Sequence, residues 1–139
     1  MQTYLHVRPG RVSGLRPGFY YHQPVEHRLV LLSPDGTLDR GLHEPLVNAP
    51  VFDEAAFSIF LVGRLAAIEP MYGAPLARDF CLIEAGAILQ LLMLAAPAHA
   101  IGLCPIGRME FGPVASALGL EETDFLAHSL LGGREKPKP

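Results

Sequence analysis

Apolar residues come in short blocks over the first third of the chain and in one long block past its middle. Tyr4, Leu5 and Val7 form a short strand closed by the turn pair Pro9-Gly10. Pro17-Gly18 then introduces the aromatic strand Phe19-Tyr20-Tyr21, a composition that favours extended backbone. Pro24 breaks it, Arg28-Leu29-Val30-Leu31-Leu32 makes the next strand, and Pro34-Asp35-Gly36 is a turn. Three short strands with tight links predict an antiparallel meander. Residues 37–50 are irregular, with a short helix near 38–43. The apolar, partly β-branched run 57–63 suits a buried central strand. A helix begins at 64–72 and is stopped by Pro70 and Gly73.

The longest regular element is expected over 76–100, where alanine, leucine and isoleucine dominate. Apolar residues surround it so fully that it is expected in the centre of the fold, with Pro97 kinking or ending it. Gly102-Leu103-Cys104-Pro105-Ile106-Gly107 reads as a tight, glycine-bounded loop. A short helix follows from 111 or 113 to 118, ended by Gly119, and a last buried strand runs over 125–131 to Gly132-Gly133. No repeat or internal linker interrupts this order, so the chain reads as one α+β unit, residues 1–134, with a loose polar tail over 135–139.

The chain has 139 residues, half of them apolar and 18% charged, enough for one domain with a hydrophobic core and unlike a disordered chain. A net charge of −3 leaves no basic footprint, so nucleic acid is not the expected partner. The long apolar block is interrupted by Glu84, Gln90, Pro97 and His99, which favours a buried core helix over a membrane span. Two cysteines, Cys81 and Cys104, give neither a disulfide framework nor a metal-ligand spacing. With no basic flank or long apolar run at the start, the expectation is a reduced, intracellular, cytoplasmic setting without a signal peptide or bound metal.

No high-specificity catalytic motif stands in the chain: phosphate-loop, dinucleotide, zinc-protease and nucleophile-elbow patterns are all missing. Gly102 and Gly107 let backbone approach a flat ligand closely, although an ordinary helix-to-strand turn is the commoner use of such glycines. Tyr72 is an acid or base only with help, since its unperturbed pKa lies near 10, and a loop aromatic capping the core is the commoner case. Glu84 inside an apolar helix needs a partner or solvent. His22 and His27 flank a turn facing solvent, His99 sits near a helix C-terminus, and His128 donates to a carbonyl in a core strand. Cys104 is read as a structural thiol, with Arg108 the one basic residue near it.

The order of several motifs carries the reading further. Gln2-Thr3-Tyr4-Leu5-His6-Val7, then Val12-Ser13-Gly14-Leu15, then Gly18-Phe19-Tyr20-Tyr21, resembles a strand followed by V-x-G-L-x-x-G-x-Y-Y. Pro24-Val25-Glu26-His27-Arg28-Leu29 continues it as Pro-x-x-His-x-Leu. Leu82-Ile83-Glu84-Ala85-Gly86, Gln90-Leu91-Leu92, the glycine-bounded 102–107 segment and His128-Ser129-Leu130-Leu131-Gly132-Gly133-Arg134 follow in order. Together they resemble the C-terminal half of the SagB-type azoline oxidases of the nitroreductase superfamily, most closely the versions embedded in nonribosomal peptide synthetases.

The resemblance implies an α+β, nitroreductase-like antiparallel sheet packed around a long central hydrophobic helix. It implies FMN as cofactor and oxidation of thiazoline or oxazoline rings to thiazoles or oxazoles, on a substrate tethered to a carrier domain. Pro105, Ile106 and Gly107 would align with backbone facing the flavin ring, and Arg134 with basic contacts to the FMN phosphate. Tyr72 falls where the family has a Lys-Tyr pair that assists proton removal; here Met71 replaces the lysine. The family's Arg/Ser-rich, phosphate-gripping N-terminal segment precedes the strand with which this chain starts, and the family binds FMN at a homodimer interface. A second copy, or a separate N-terminal half-domain, is the expected partner. A non-catalytic docking or dimerisation module that keeps the fold is the alternative.

Overall fold

Side chains of one central strand divide the molecule into layers. The computed structural model describes residues 1–135. Its strands are β1 (Gln2–Val7), β2 (Gly18–Gln23), β3 (Arg28–Pro34), β4 (Phe57–Arg64), β5 (Ile101–Ile106) and β6 (Asp124–Arg134). The helices are α1 (Asn48–Glu54), α2 (Leu65–Tyr72), α3 (Ala74–Ala95) and α4 (Gly112–Leu118). All the strands pair antiparallel in one six-stranded sheet, ordered β3-β2-β1-β4-β6-β5. In β4, Ile59 and Leu61 point to a cluster containing Ala85 of α3 and Leu130 of β6. Phe60 and Val62 point the other way, to Phe52 of α1 and Val114 and Leu118 of α4. The expected meander is β1-β2-β3, and the expected central strand is β4.

The irregular stretch expected over 37–50 holds a 3-10 turn at Arg40–Leu42 and, at its end, the start of α1. No capping side chain announces α1, and Pro50 in its first turn is tolerated because the N–H there has no intrahelical partner. The helix is fixed from outside. Arg8, just past β1, donates through Nη1 to the carbonyls of Phe52, Asp53 and Ala55, and its guanidinium lies 4.6 Å over the Phe52 ring. A cation on the last carbonyls of a helix is favoured by the helix dipole as well as by the bonds themselves.

The long helix forms, but apolar residues enclose it on one side only. Ala77, Cys81 and Ala85 are buried against the sheet, with Ile88, Leu89, Leu92 and Met93 partly covered beside them. The small residues at four-residue spacing let the helix lie close to β4 and β6. Leu76, Phe80, Ile83, Leu91 and Leu94 are exposed on its remaining face. With the turn that follows, the helix is long and apolar enough, by length and composition, to cross a bilayer; here it carries Glu84 in the open, so the cost of burying that carboxylate does not arise. Pro97 falls in a 3-10 turn, Ala96–His99, after α3 has ended. Pro70 does not stop α2, which continues to Tyr72 and ends at Gly73 with φ of 76°. The loose tail expected over 135–139 lies, beyond Glu135, outside the described residues.

Two histidines that sequence reasoning passed over are buried in the layer beneath the sheet. His6 stands in register between Phe19 and Ser58, its Nε2 3.1 Å from the Gly36 carbonyl and its ring on Phe19. His43 stacks on Phe52 at 4.7 Å, with neither ring nitrogen partnered. Burial holds both imidazoles below their ordinary pKa; at His6 the Gly36 carbonyl opposes this and nearby Arg8 reinforces it. As pH falls through about 6.5, unfolded chains take up protons first. Stability is therefore full above that pH and declines below it, and a His43→Phe variant, which keeps the stack, should show a shallower decline in urea midpoints between pH 8 and 5.5.

Gly132 of β6 offers a second prediction. A Cβ there would meet Phe57 Cζ at 2.3 Å and Leu103 Cδ2 at 2.8 Å, whereas a Cβ on Gly107 meets nothing within 4 Å. Gly132→Ala should cost about 2 kcal/mol in urea unfolding. Gly107→Ala should stay within about 0.5 kcal/mol of the parent.

Candidate functional site

The segment 102–107 is not a loop but the edge strand β5 as far as Ile106, with Gly107 just beyond it. Glycine and proline mark turns in a sequence, and only position in the sheet reveals why they are tolerated here. Glu135 N–H donates to the Ala100 carbonyl at 2.8 Å. Alternation along the ladder then turns Gly102, Cys104 and Ile106 toward β6 and leaves the backbone polar groups of Ile101, Leu103 and Pro105 facing outward. Pro105 thus removes no ladder bond, and its missing N–H blunts the open edge.

After Gly107 the chain is pinned across the sheet end. Asn48 Nδ2 donates to the Arg108 carbonyl at 3.2 Å, Glu110 N–H to the Leu42 carbonyl at 2.9 Å, and Met109 bridges His43. A cavity of about 260 Å³ opens beside this segment, walled by Ile106, Gly107, Met109, Phe111, Leu126 and His128. Another, of about 350 Å³, lies at the opposite end of β5, where Glu54, Cys104, Gly133 and Arg134 meet Val51 and Leu131. Register separates the two: Ile106 pairs with Ser129 and Ile101 with Arg134, five residues along the strand, or about 16 Å.

Of the residues expected at a site, Ile106 and Gly107 therefore share a cavity, and Pro105 stands beside them on the edge. Arg134 does not join them; it is exposed at the far end and makes no ion pair among the described residues. Tyr72 ends α2 and packs edge-on against Phe80 at 4.8 Å. It lies toward the Gly107 end of the sheet, because Arg78, one turn into α3, covers the Phe125 ring of β6 at 4.1 Å. It does not line the cavity. Met71 beside it is exposed and supplies no charge. Cys104 is half-buried with Sγ 3.7 Å from the Pro105 carbonyl, while burial pushes the Cys81 thiol up. His22 and His27 contact each other at the β2–β3 turn.

His128 occupies a bulge: Leu61 pairs with His128 and Val62 with Leu126, which leaves Ala127 as an extra residue in β6. A one-residue irregularity of this kind has no signal in the sequence. The His128 Nδ1 lies 3.0 Å from the Ser129 carbonyl, where a donated bond was expected, but also 2.8 Å from the Ser129 N–H. Ser129 itself is buried, its hydroxyl without a partner among the described residues.

Comparison with known proteins bears on the fold and the family. The chain is 28% identical over 135 residues to an indigoidine synthase of Dickeya dadantii, a match that covers 97% of this chain but only 8% of that protein. A nitroreductase of Anabaena variabilis superposes with a TM-score of 0.79 at 27% identity, over 97% of this chain and 27% of its own. The Escherichia coli microcin synthetase McbBCD complex, bound to truncated pro-MccB17, shares the fold with a TM-score of 0.70 at 12% identity, over 98% of this chain and 52% of the matched one. The chain thus spans only a small part of the indigoidine synthase and about a quarter of the Anabaena protein. Residues 9–133 match the Nitroreductase family, and the chain belongs to it.

Proposed function

We propose that this chain is the C-terminal part of an FMN-dependent azoline oxidase, acting on thiazoline or oxazoline rings during peptide natural-product assembly. The observation that carries the reading is the cavity of about 260 Å³ at the end of β5, where no atom lies within 4 Å of a Cβ placed on Gly107. A flat ring can approach backbone there as it cannot where side chains intervene. Arg134, exposed and without an ion pair among the described residues at the other end of the strand, suits a phosphate, so the residues present fit both ends of a flavin mononucleotide.

FMN, when bound, supplies acceptance of the two electrons leaving the ring. The protein's share is to hold and tune it. Pro105, Ile106 and Gly107 would present backbone along the flavin, and Arg134 would pair with its phosphate. Tyr72 would take the proton released from the azoline. The indigoidine synthase and microcin synthetase likenesses support a substrate built by a peptide-assembling system and held by a carrier. Two free thiols and no disulfide among the described residues support a reducing, cytoplasmic setting.

The uncovered face of α3 supports a partner. Phe80, Ile83, Leu91 and Leu94 expose more apolar surface on one helix than scattered surface residues normally do. A second copy is the occupant we favour, because one helix face can meet its own image about a two-fold axis. Ile83→Asp should then convert a dimer into a monomer in sedimentation velocity; a separate N-terminal half-domain as partner predicts a monomer for both proteins.

A second reading, a docking or dimerisation module that keeps the fold without turnover, draws on Tyr72. That side chain stands outside the cavity and has Met71 where a lysine would lower its pKa. Flavin titration separates the readings. The first expects quenching of FMN fluorescence by the purified chain, alone or supplied with its family's N-terminal segment. Arg134→Gln should weaken FMN about tenfold, the worth of one charge-assisted bond, and leave riboflavin unchanged. No binding of either flavin in both settings favours the module.

A further inference from the structure

The turn between β2 and β3 holds two histidines to which the proposed function gives no task. Register pairs His22 with Leu29 and Gln23 with Arg28, so His27 lies in the turn just outside the last pair. It stands there with φ of 49°, a left-handed backbone that histidine and asparagine adopt more readily than most residues with a Cβ. The hairpin thereby brings together two rings that no sequence spacing marks as partners. His22 Nε2 lies 3.3 Å from His27 Nδ1, and the ring planes cross at 89° with centroids 5.3 Å apart.

The turn is held by its own bonds. Gln23 Oε1 accepts from the Glu26 N–H at 2.6 Å, and the Glu26 carboxylate pairs with Arg28 at 2.5 Å. His22 is half-buried and His27 exposed, so solutes reach the pair. Two neutral imidazoles in contact place one proton between two lone pairs, whichever ring donates. A divalent transition ion uses both lone pairs at once. Ring nitrogens bind zinc at about 2.0–2.1 Å, and two of them at the tetrahedral angle stand about 3.3–3.4 Å apart. The pair already has that separation, so binding asks the rings to turn about their soft terminal torsions and leaves the backbone in place. The donating ring then carries its proton on its other nitrogen, and the neutral pair releases none. No third His, Cys, Asp or Glu completes a cluster among the described residues, so water fills the remaining positions.

We propose that His22 and His27 form a two-histidine site for a divalent transition ion, ligated through His22 Nε2 and His27 Nδ1. Imidazole suits zinc, nickel and copper, whereas magnesium and calcium prefer oxygen. The ion would tie β2 to the turn that leads into β3. This hairpin forms the opposite side of the sheet from β5, and the proposal stands apart from the flavin reading.

Zinc alone is the probe, titrated into the full chain and followed at the histidine rings by long-range nitrogen-proton spectra. His22 Nε2 and His27 Nδ1 should shift together with one dissociation constant, while the exposed His99 stays unshifted at zinc concentrations that saturate the pair. His22→Gln, read at His27, and His27→Asn, read at His22, should each weaken zinc about tenfold or more, because the remaining ring loses its pre-positioned second ligand. Asparagine is chosen at position 27 because it accepts the left-handed backbone, and circular dichroism of both variants should match the parent. Magnesium should shift neither ring. The proposal is overturned if zinc leaves the pair unshifted or ligates the opposite ring nitrogens. It is overturned equally if His99 titrates with the same constant, or if either variant keeps the parent's affinity.

Discussion

Everything in the molecule hangs on β4, the strand that pairs on both edges and buries both faces. Its neighbours β1 and β6 bring in the two ends of the sheet, and its alternating side chains serve two cores at once. Phe60, Leu61 and Val62 are fully buried, which is possible only because helices cover both sides of the sheet. Those helices are held unequally. The layer of α1 and α4 is sewn to the sheet by polar bonds, with Arg8 gathering three carbonyls at the end of α1. The α3 layer is tied more lightly, by the Met1 N-terminus on Glu84 at 3.5 Å and Arg78 over Phe125, and rests mainly on close contact through Ala77, Cys81 and Ala85. Small side chains bury little area each, so the grip of α3 on the sheet gains from anything that covers its outer face.

That asymmetry bears on function. Were the outer face of α3 satisfied within the chain, the cavity at the end of β5 would be the natural limit of the site. Instead an apolar face of α3 stands uncovered on the other side of the sheet.

How much of this could be read in the sequence follows from which interactions are local. β1 to β4 were legible because aromatic and β-branched residues cluster there and Pro-Gly or Pro-Asp-Gly turns separate them. α4 was legible through Gly119, which takes the left-handed backbone at its end. β5 was not, since the features that signal a loop, Gly102, Pro105 and Gly107, are equally those an edge strand tolerates; only the ladder distinguishes them. α1 was hidden because its fixing interaction comes from Arg8, more than forty residues earlier. The composition of α3 announced a long helix, expected over 76–100 and found over Ala74–Ala95, but could not say whether its own chain would cover it. Ile106 and Gly107 entered only through family likeness, and the bulge beside His128 left no mark in the sequence.

The edge position of β5 finally explains why the two halves of the predicted cofactor contact lie so far apart. A loop would have folded Gly107 back toward Gly102 and brought Arg134 near. A strand holds the ends separate by its own rise, about 16 Å between the Ile106–Ser129 and Ile101–Arg134 pairs. A compact ligand could not touch both. An elongated one, with a flat ring and a charged group on a flexible arm, has the reach to use the cavity beside Gly107 and the cation at Arg134 together. The separation that first looks like a failure of the expected site is thus a constraint on ligand shape, and it is one that a flavin mononucleotide can meet and a small free azoline cannot.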